Sequence, residues 1–301
     1  MKVFQQRVTQ IVLAGVATLA AGTIQGCQGN GAADVTPVTP AVELNKPRAP
    51  IGSPIEVTYR FDVGSDFESF PRDYTAFVHF LDSHDELLFT DDHQPAEPTS
   101  SWKPGSTVQY SRTVFVPLYP YLGTATIEMG LYDPETGERV GLSGADTGQS
   151  AYQVGELTLL DQKENIFLVY KEGWHPLESS PENPAIEWQW TKQEAVCSFK
   201  NPKVDALLYL KADTNVEAFP EPLQVQIFVG DTELTQITVE DKNPFLIKIP
   251  IPAAALGSED WVDLRIVNNQ SFVPSELGTG GDPRQLGLRV YHLYIDPQPG
   301  T

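Results

Sequence analysis

The 301-residue chain is long enough for two domains of ordinary size, and its 41% hydrophobic and 10% aromatic residues suffice to fill their cores. Its formal net charge of -20 is strongly acidic. A surface of that charge repels nucleic-acid phosphates and anionic lipid headgroups, so the composition argues against nucleic acid as a partner. It is compatible with a well-solvated surface and with neutral ligands.

The first 26 residues have the layout of a secretory signal peptide. Lys2 and Arg7 give a positively charged N-terminal region, residues 8–21 form an apolar segment, and a cleavage site of small residues follows. The apolar run is shorter than the ~20 residues that a membrane-spanning helix needs. We therefore expect an exported protein from which residues 1–26 are removed.

The sequence Ile-Gln-Gly-Cys that ends at Cys27 resembles a bacterial lipobox, in which the chain is cut before the cysteine and the thiol takes up lipid. The resemblance implies a protein anchored to the bacterial outer membrane or cell surface through Cys27. Several acyl chains hold a protein stably, because each buried CH₂ contributes ~0.8 kcal/mol. Ordinary cleavage that leaves a free Cys27 is the alternative.

Residues 27–50 are rich in Gly, Ala, Thr and Pro, which predicts a flexible tether that is extended where proline dominates. Two β-rich domains are predicted after it, at 51–160 and 161–297, followed by a tail at 298–301. Strands are predicted from apolar alternation and from the turn clusters that bound them. In the first domain they are 55–61, 74–81, 86–90, 108–116, 124–132 and 152–159. In the second domain they are 165–170, 187–191, 194–199, 206–212, 223–229, 233–239, 245–249, 262–267 and 288–295.

Short strands at regular spacing, with no convincing helix, predict an all-β fold made of two consecutive β-sandwiches. In the first domain the motifs F-V-H-F-L-D, P-T-S-S-W-K-P-G and G-L-Y-D-P-E-T-G-E-R resemble an immunoglobulin-like (Ig-like) module of bacterial envelope proteins and some membrane glycosyltransferases. In the second domain G-W-H-P-L-E and W-Q-W-T resemble a carbohydrate-binding-like module. The order of its elements resembles a galactose-binding-like jelly roll.

Aromatic residues are concentrated in the second domain and suggest platforms on which sugar rings could stack. Trp174 and His175 in one loop, with Phe272, Asp282 and Arg284 in another, are the predicted ligand-binding residues. Packing of the two aromatic residues, and an Asp282–Arg284 pair that only braces its loop, are the alternatives.

Other tryptophans of the second domain are predicted to be structural. Trp188 and Trp190 lie two residues apart, so they share one face of a strand, and we expect them in the core. Trp261 begins a strand and is expected in the core or in a lid.

No catalytic motif is found. The chain has no G-x-S-x-G sequence, and Cys197 lies in an alternating stretch that predicts a buried, inert thiol. Histidines and aspartates near one hairpin match no common metal-binding spacing, so a solvated acidic turn is predicted there and no metal or cofactor site. These residues are His79, His84, Asp85, Asp91, Asp92 and His93. A structural calcium ion near Asp282 stays an open alternative.

Three functions are compatible with these features. The first is a non-enzymatic envelope lipoprotein that binds glycan or an envelope assembly, such as one for polysaccharide synthesis or export. The second is a structural adaptor that binds another protein through sheet edges. The third is a glycan-active enzyme whose catalytic carboxylates are not recognisable among 40 acidic residues.

Overall fold

The structure is a computed structural model that describes residues 35–118, 121–278 and 280–298. Most of it consists of β-strands in which apolar and polar residues alternate. Cys27, the predicted signal peptide and the first part of the predicted tether lie outside these ranges. The described strands form four sheets, and the predicted all-β class is confirmed. In the described ranges, no helix has the length and apolar character needed to cross a membrane.

The first sandwich contains a sheet in the order β1-β3-β6 and a sheet in the order β2-β9-β7-β4-β5, with β8 paired to β9. Its strands are β1 Val38–Leu44, β2 Arg48–Pro50, β3 Pro54–Val63, β4 Thr75–Leu81, β5 Leu87–Thr90, β6 Thr107–Phe115, β7 Gly123–Tyr132, β8 Asp146–Gly148 and β9 Ala151–Leu160. One hydrophobic cluster lies between the two sheets. Tyr59 and Phe61 of β3 and Ile127 of β7 are completely buried in it.

The end of the predicted tether belongs to this sandwich. Val38–Leu44 pairs with β3 over its whole length, and Arg48–Pro50 pairs in parallel with β9. Val38 is completely buried, so apolar burial outweighs the proline content of this stretch. β1 lies at the edge of its sheet, and an edge strand tolerates the missing N–H of Pro40. The prediction that the tether extends to residue 50 is therefore wrong.

The second sandwich contains a five-stranded sheet in the order β10-β13-β18-β15-β16, called the distal sheet here, and a five-stranded sheet in the order β11-β12-β19-β14-β17, called the interface sheet. Its strands are β10 Leu168–Tyr170, β11 Glu178–Ser179, β12 Glu187–Trp190, β13 Glu194–Lys200, β14 Ala206–Asp213, β15 Leu223–Val229, β16 Thr232–Val239, β17 Phe245–Ile251, β18 Trp261–Asn268 and β19 Arg289–Pro297. A single-turn helix, Ala253–Leu256, precedes β18. A second hydrophobic cluster fills the space between the sheets.

Strand β19 contains a β-bulge. Its neighbour β14 pairs Ala212 with Val290 but Lys211 with His292, so Tyr291 is an extra residue without a partner across the ladder. Such an insertion reverses the alternation of side chains beyond it. Val290 and Ile295 are both buried in the core as a result, although an unbroken strand would direct them to opposite faces.

The outer face of the interface sheet contacts the first sandwich. The Phe115 ring of β6 stacks on the His292 ring of β19, with centroids 4.0 Å apart and planes 9° from parallel. Tyr294 donates a hydrogen bond to Asn165, whose amide in turn donates to the carbonyl oxygen of Ile51 at 2.8 Å. The two sandwiches therefore share an ordered contact that includes a stacked ring pair.

Two ion pairs flank the stacked rings. Lys248 of β17 lies 2.6 Å from a Glu56 carboxylate oxygen of β3, and Lys46 lies 3.2 Å from Asp296 of β19. Both pairs are partly shielded from solvent, so we expect them to set the orientation of the contact more than its strength.

His292 makes this contact sensitive to pH. Burial, with a smaller effect from Lys211, lowers the pKa of His292 to about 4. Above about pH 6.5 the residue is neutral in the folded and the unfolded chain. As the pH falls from about 6.5 to about 4, only the unfolded chain takes up the proton, so the free energy of unfolding falls by on the order of 3 kcal/mol.

We expect His292→Phe to remove this pH-dependent loss of stability while keeping a ring stacked on Phe115. Urea unfolding at a series of pH values from about 7 to about 4 measures the free energy of unfolding. The variant should lose less of it over this range than the unmodified chain. His84→Phe is the control, because the His84 side chain is 81% exposed. An unchanged pH dependence in His292→Phe contradicts the assignment.

Candidate functional site

Four side chains form a cluster on the outer face of the interface sheet, beside the contact with the first sandwich. Trp188 and Trp190 come from β12, and Arg289 and Tyr291 come from β19. The register pairs Trp190 with Arg289 and Gln189 with Val290. Val290 faces the core, so its partner Gln189 faces the core as well. Trp188 and Trp190 flank Gln189 in the strand and therefore face outward. This cluster is called the aromatic face below.

The predicted core position of Trp188 and Trp190 is therefore wrong. Their two-residue offset does place them on one face of a strand, as predicted, but it is the outer face. The apolar alternation of β12 does not reveal which face is buried, since tryptophan is compatible with either. Trp261 is also not in the core. It is 56% exposed and lies on the outer side of β18, whose inward residues are Val262 and Leu264.

Arg289 holds the aromatic face together. Its guanidinium carbon lies 5.3 Å from the Trp188 ring centroid, 5.5 Å from that of Trp190 and 5.3 Å from that of Tyr291. These distances are in the range of cation–π attraction. The aromatic rings are thus arranged around a fixed cation.

Asp213 in turn fixes the position of Arg289. The Asp213 carboxylate accepts two hydrogen bonds of 2.7 Å from Arg289 and one of 2.8 Å from the Tyr291 hydroxyl. Its side chain is only 2% exposed. The hydrogen bond from Arg289 to this carboxylate raises the pKa of Arg289. The pair is a bidentate, charge-assisted contact, the strongest kind of side-chain hydrogen bonding.

A cleft of about 320 Å³ opens at one side of the aromatic face. Trp190 and Arg289 line it, together with residues 214–217 after β14 and Lys242 from the loop before β17. Asn215, Glu217 and Lys242 are exposed. Within the described part of the chain, Lys242 and Glu217 form no ion pair. The cleft therefore combines one indole ring with an amide, a carboxylate and an ammonium group that are available to a ligand.

This combination suits a sugar. A pyranose ring presents C–H groups that pack on an aromatic face, and its hydroxyls need both donors and acceptors at fixed positions. Trp190 provides apolar area, Lys242 donates, Glu217 accepts and Asn215 does both. Because Arg289 is already paired with Asp213, it adds little net charge to the cleft.

Two of the predicted ligand-binding residues are buried against other parts of the domain. His175 is 9% exposed, and its Nε2 donates to the carbonyl oxygen of Gln285 at 2.7 Å. Phe272 is 7% exposed, and its ring packs edge-to-face against Trp190 and Phe219. Both side chains hold loops in place in this arrangement. Because the Phe272 ring is buried against Trp190, it is not available for stacking on a sugar.

Trp174 is partly buried and packs against the core of the second sandwich. Its indole N–H donates to the carbonyl oxygen of Val196 at 2.9 Å. The ring packs edge-to-face on Tyr170, with centroids 4.8 Å apart. With Leu177 and Leu293 it lines a small cavity of about 100 Å³. A ligand role for Trp174 stays a prediction.

Asp282 and Arg284 form a brace across the long loop before β19. Arg284 donates to Asp282 at 2.7 Å and to Glu178 of β11 at 2.6 Å. Hydrogen bonds from Arg284 lower the pKa of Asp282 to about 2. The arrangement matches the bracing alternative, in which the pair ties the loop to the edge of the interface sheet.

The hairpin histidines in the first sandwich do not converge. His93 is buried and bonded to the Tyr110 hydroxyl at 2.8 Å, His84 is exposed in a turn, and His79 lies 3.8 Å from Asp92. In the described ranges, no group of three or more His, Cys, Asp or Glu side chains is placed to hold a metal ion. Asp91 instead accepts hydrogen bonds from Tyr59 and Arg112.

Cys197 is completely buried, as predicted. Burial raises the pKa of its thiol to about 12, so the thiol is protonated at neutral pH and is a poor nucleophile.

No protein-family model matches the chain, and no curated protein matches it. Several solved structures are similar to it at a low level. Carbohydrate-binding modules from the β-sandwich superfamily match at 10% identity over 86% of this chain and 98% of theirs, with a TM-score of 0.27. The tandem CBM22-1 and CBM22-2 modules of Xyn10C from Paenibacillus barcinonensis match at 11% identity over 89% and 96%, with a TM-score of 0.26.

The secreted serine protease VesC from Vibrio cholerae matches at 9% identity over 86% of this chain, with a TM-score of 0.24. This chain spans about half of that protein, 51% of its length. Identities and TM-scores this low assign no function to this chain.

The buried Asp213–Arg289 pair leads to a stability prediction. Arg289→Met leaves the Asp213 carboxylate buried without a cation, which should lower the free energy of unfolding by about 3 kcal/mol. The control Arg60→Met removes an exposed ion pair with Asp62 and should change stability by less than about 1 kcal/mol. Urea unfolding compares the two variants, and equal losses would show that the buried pair has no special role.

Proposed function

We propose that this protein is a glycan-binding protein of a cell envelope, anchored through lipidated Cys27 and binding sugar in the cleft beside Trp190. The observation that supports it most is the cleft itself. In it one indole ring lies next to an amide, a carboxylate and an ammonium group, and the last two have no ion-pair partner among the described residues. The proposed role is binding and not catalysis.

The residues around the cleft hold Trp190 in place before a sugar binds. The Asp213–Arg289 pair fixes the cation beside Trp190, and the Phe272 ring packs edge-to-face against Trp190. A ligand therefore meets a ring whose position is already set, so that little side-chain freedom is lost on binding. The exposed Lys242 and Glu217 then select among sugars by the positions of their hydroxyls.

Glycan-array binding of the purified full chain, followed by calorimetry with the sugar that binds, tests the proposal. We expect Trp190→Leu to weaken binding by about tenfold or more, equivalent to about 1.4 kcal/mol. Lys242→Ala and Glu217→Ala should each weaken it several-fold, because each removes one polar contact.

Matched controls lie elsewhere on the surface. Trp261→Leu changes an exposed tryptophan on the distal sheet, and Lys163→Ala changes a lysine that is 73% exposed and outside the cleft. Both should leave affinity unchanged. Glycan binding that is insensitive to all three cleft variants contradicts this site. Turnover of a glycan that stops on a single Asp or Glu substitution contradicts the binding-only role.

The anchor is tested separately. We expect mass spectrometry of the peptide that begins at Cys27 to find it acylated, and Cys27→Ser to move the protein from the membrane fraction to the soluble fraction. Recovery of an unmodified Cys27 from membrane-extracted protein contradicts the lipoprotein proposal, and it leaves the glycan proposal open.

A protein-binding adaptor is the second candidate, and exposed apolar side chains favour it. Phe167, Val169, Leu177 and Ile186 are each about half exposed and lie near β10, β11 and β12. β10 and β11 are edge strands, and edge strands can accept a further strand from another protein. Absence of any sugar ligand, together with a stable envelope protein that co-purifies and is lost on Val169→Lys, would favour this role.

A further inference from the structure

The cleft beside Trp190 contains two opposite charges that the protein does not neutralise. Three charged residues line it, Glu217, Lys242 and Arg289. Arg289 is paired with the buried Asp213 carboxylate, so this cation already has its counter-ion. Among the described residues, Glu217 and Lys242 form no ion pair with each other or with any other side chain. One carboxylate and one ammonium group are therefore left for a ligand.

The main chain that carries Glu217 is anchored on both sides. Glu217 lies in the single 3-10 turn Val216–Ala218. Val216 packs against the core of the second sandwich, and the ring of Phe219 packs edge-to-face on Phe272, with centroids 5.4 Å apart. The Glu217 carboxylate therefore extends into the cleft from a fixed position.

Lys242 lies in a turn that is held by hydrogen bonds on either side of it. The Asp241 carboxylate accepts from the main-chain N–H of Asn243 at 2.8 Å and from the Asn243 side-chain amide at 2.9 Å. Aspartate commonly fixes a turn in this way. The Lys242 side chain is exposed, and its ammonium group has no partner in the described part of the chain. Its charge, like that of Glu217, is carried by an ordered stretch of main chain.

A neutral sugar makes poor use of these two charges. A sugar hydroxyl that replaces water on Glu217 or Lys242 forms a hydrogen bond, but the charged group loses part of its hydration in exchange. A ligand group of opposite charge forms the same hydrogen bond and adds Coulomb attraction to it. The cleft therefore favours a ligand that has an anionic group for Lys242 and a cationic group for Glu217.

The balance of charge distinguishes this ligand from one with a single charge. An anionic sugar is repelled by Glu217 and by the chain as a whole, at -20. A cationic sugar is attracted to the chain but meets Lys242 in the cleft. A sugar with both charges places each one against its opposite and has no net charge. The site is balanced in the same way, because Asp213 neutralises Arg289 and Glu217 matches Lys242.

We infer that the cleft binds a zwitterionic sugar, a pyranose ring that carries both a free amino group and a carboxylate. The ring packs on Trp190, the amino group donates to Glu217, and the carboxylate accepts from Lys242. The cleft volume of about 320 Å³ is at the lower end of the range for small-molecule sites, which suits a single substituted ring. This inference rests on the proposed glycan binding and names the class of sugar.

Calorimetric titration of the purified full chain with four sugars that share the glucose ring tests the inference. Muramic acid carries both charges, N-acetylmuramic acid the carboxylate alone, glucosamine the amino group alone, and N-acetylglucosamine neither. At about pH 6.5 a free amino group is protonated and a carboxyl group is ionised. We expect muramic acid to bind at least tenfold more tightly than each of the other three sugars, and its affinity to fall as salt is added.

Variants assign each charge of the sugar to a side chain. Lys242→Gln removes the partner of the carboxylate, so it should reduce the preference for muramic acid over glucosamine at least fivefold. Glu217→Gln removes the partner of the amino group, so it should reduce the preference for muramic acid over N-acetylmuramic acid at least fivefold. Lys163→Gln and Glu182→Gln are the matched controls, because both residues are exposed and neither lines the cleft.

Two results would overturn the inference. One is muramic acid that does not bind, or that binds no more tightly than N-acetylglucosamine. The other is a preference for muramic acid that Lys242→Gln and Glu217→Gln both leave unchanged. Neutral glycans that bind on the array and are weakened by Trp190→Leu would keep the glycan proposal valid in either case. If no glycan binds, whatever its charge, the glycan proposal and this inference are both wrong.

Discussion

The β-bulge at Tyr291 is the constraint on which the second sandwich and its surface depend. Without the extra residue, β19 would direct Val290 and Ile295 to opposite faces of the sheet. With it, both reach the core. Arg289 before the bulge, the inserted Tyr291 and His292 after it all face outward. One strand thus contributes to the core, to the aromatic face and to the contact with the first sandwich.

This shared strand places two kinds of surface next to each other. One end of β19 contributes Arg289 and Tyr291, which are ordered by the buried Asp213 carboxylate. The part of the strand after the bulge contributes His292 and Asp296, which meet Phe115 and Lys46 of the first sandwich. The first sandwich covers part of the interface sheet and leaves the aromatic face uncovered. A ligand bound there would therefore lie beside the junction of the two domains.

The strands were largely predictable from the sequence, because alternation and turn residues act over a few positions. The predicted range 223–229 is identical to β15, and 124–132 differs from β7 by one residue. β1 was missed because its prolines resemble a tether, and an edge strand is one of the few sheet positions that accept them. The candidate site was predicted less well. The tryptophans assigned to the core form the aromatic face, while His175 and Phe272 are buried supports.

Local sequence was sufficient for the all-β class, for the ranges of most of the longer strands and for the burial of Cys197, since each follows from patterns of neighbouring residues. The tertiary structure decided which face of β12 is buried and which residues of β19 meet Asp213. Those outcomes depend on strand pairing across long sequence separations and on one inserted residue, whose effect reverses the facing of every residue after it. A pattern with a period of two indicates that two faces exist, and only the packing of the opposite sheet determines which of them becomes the core.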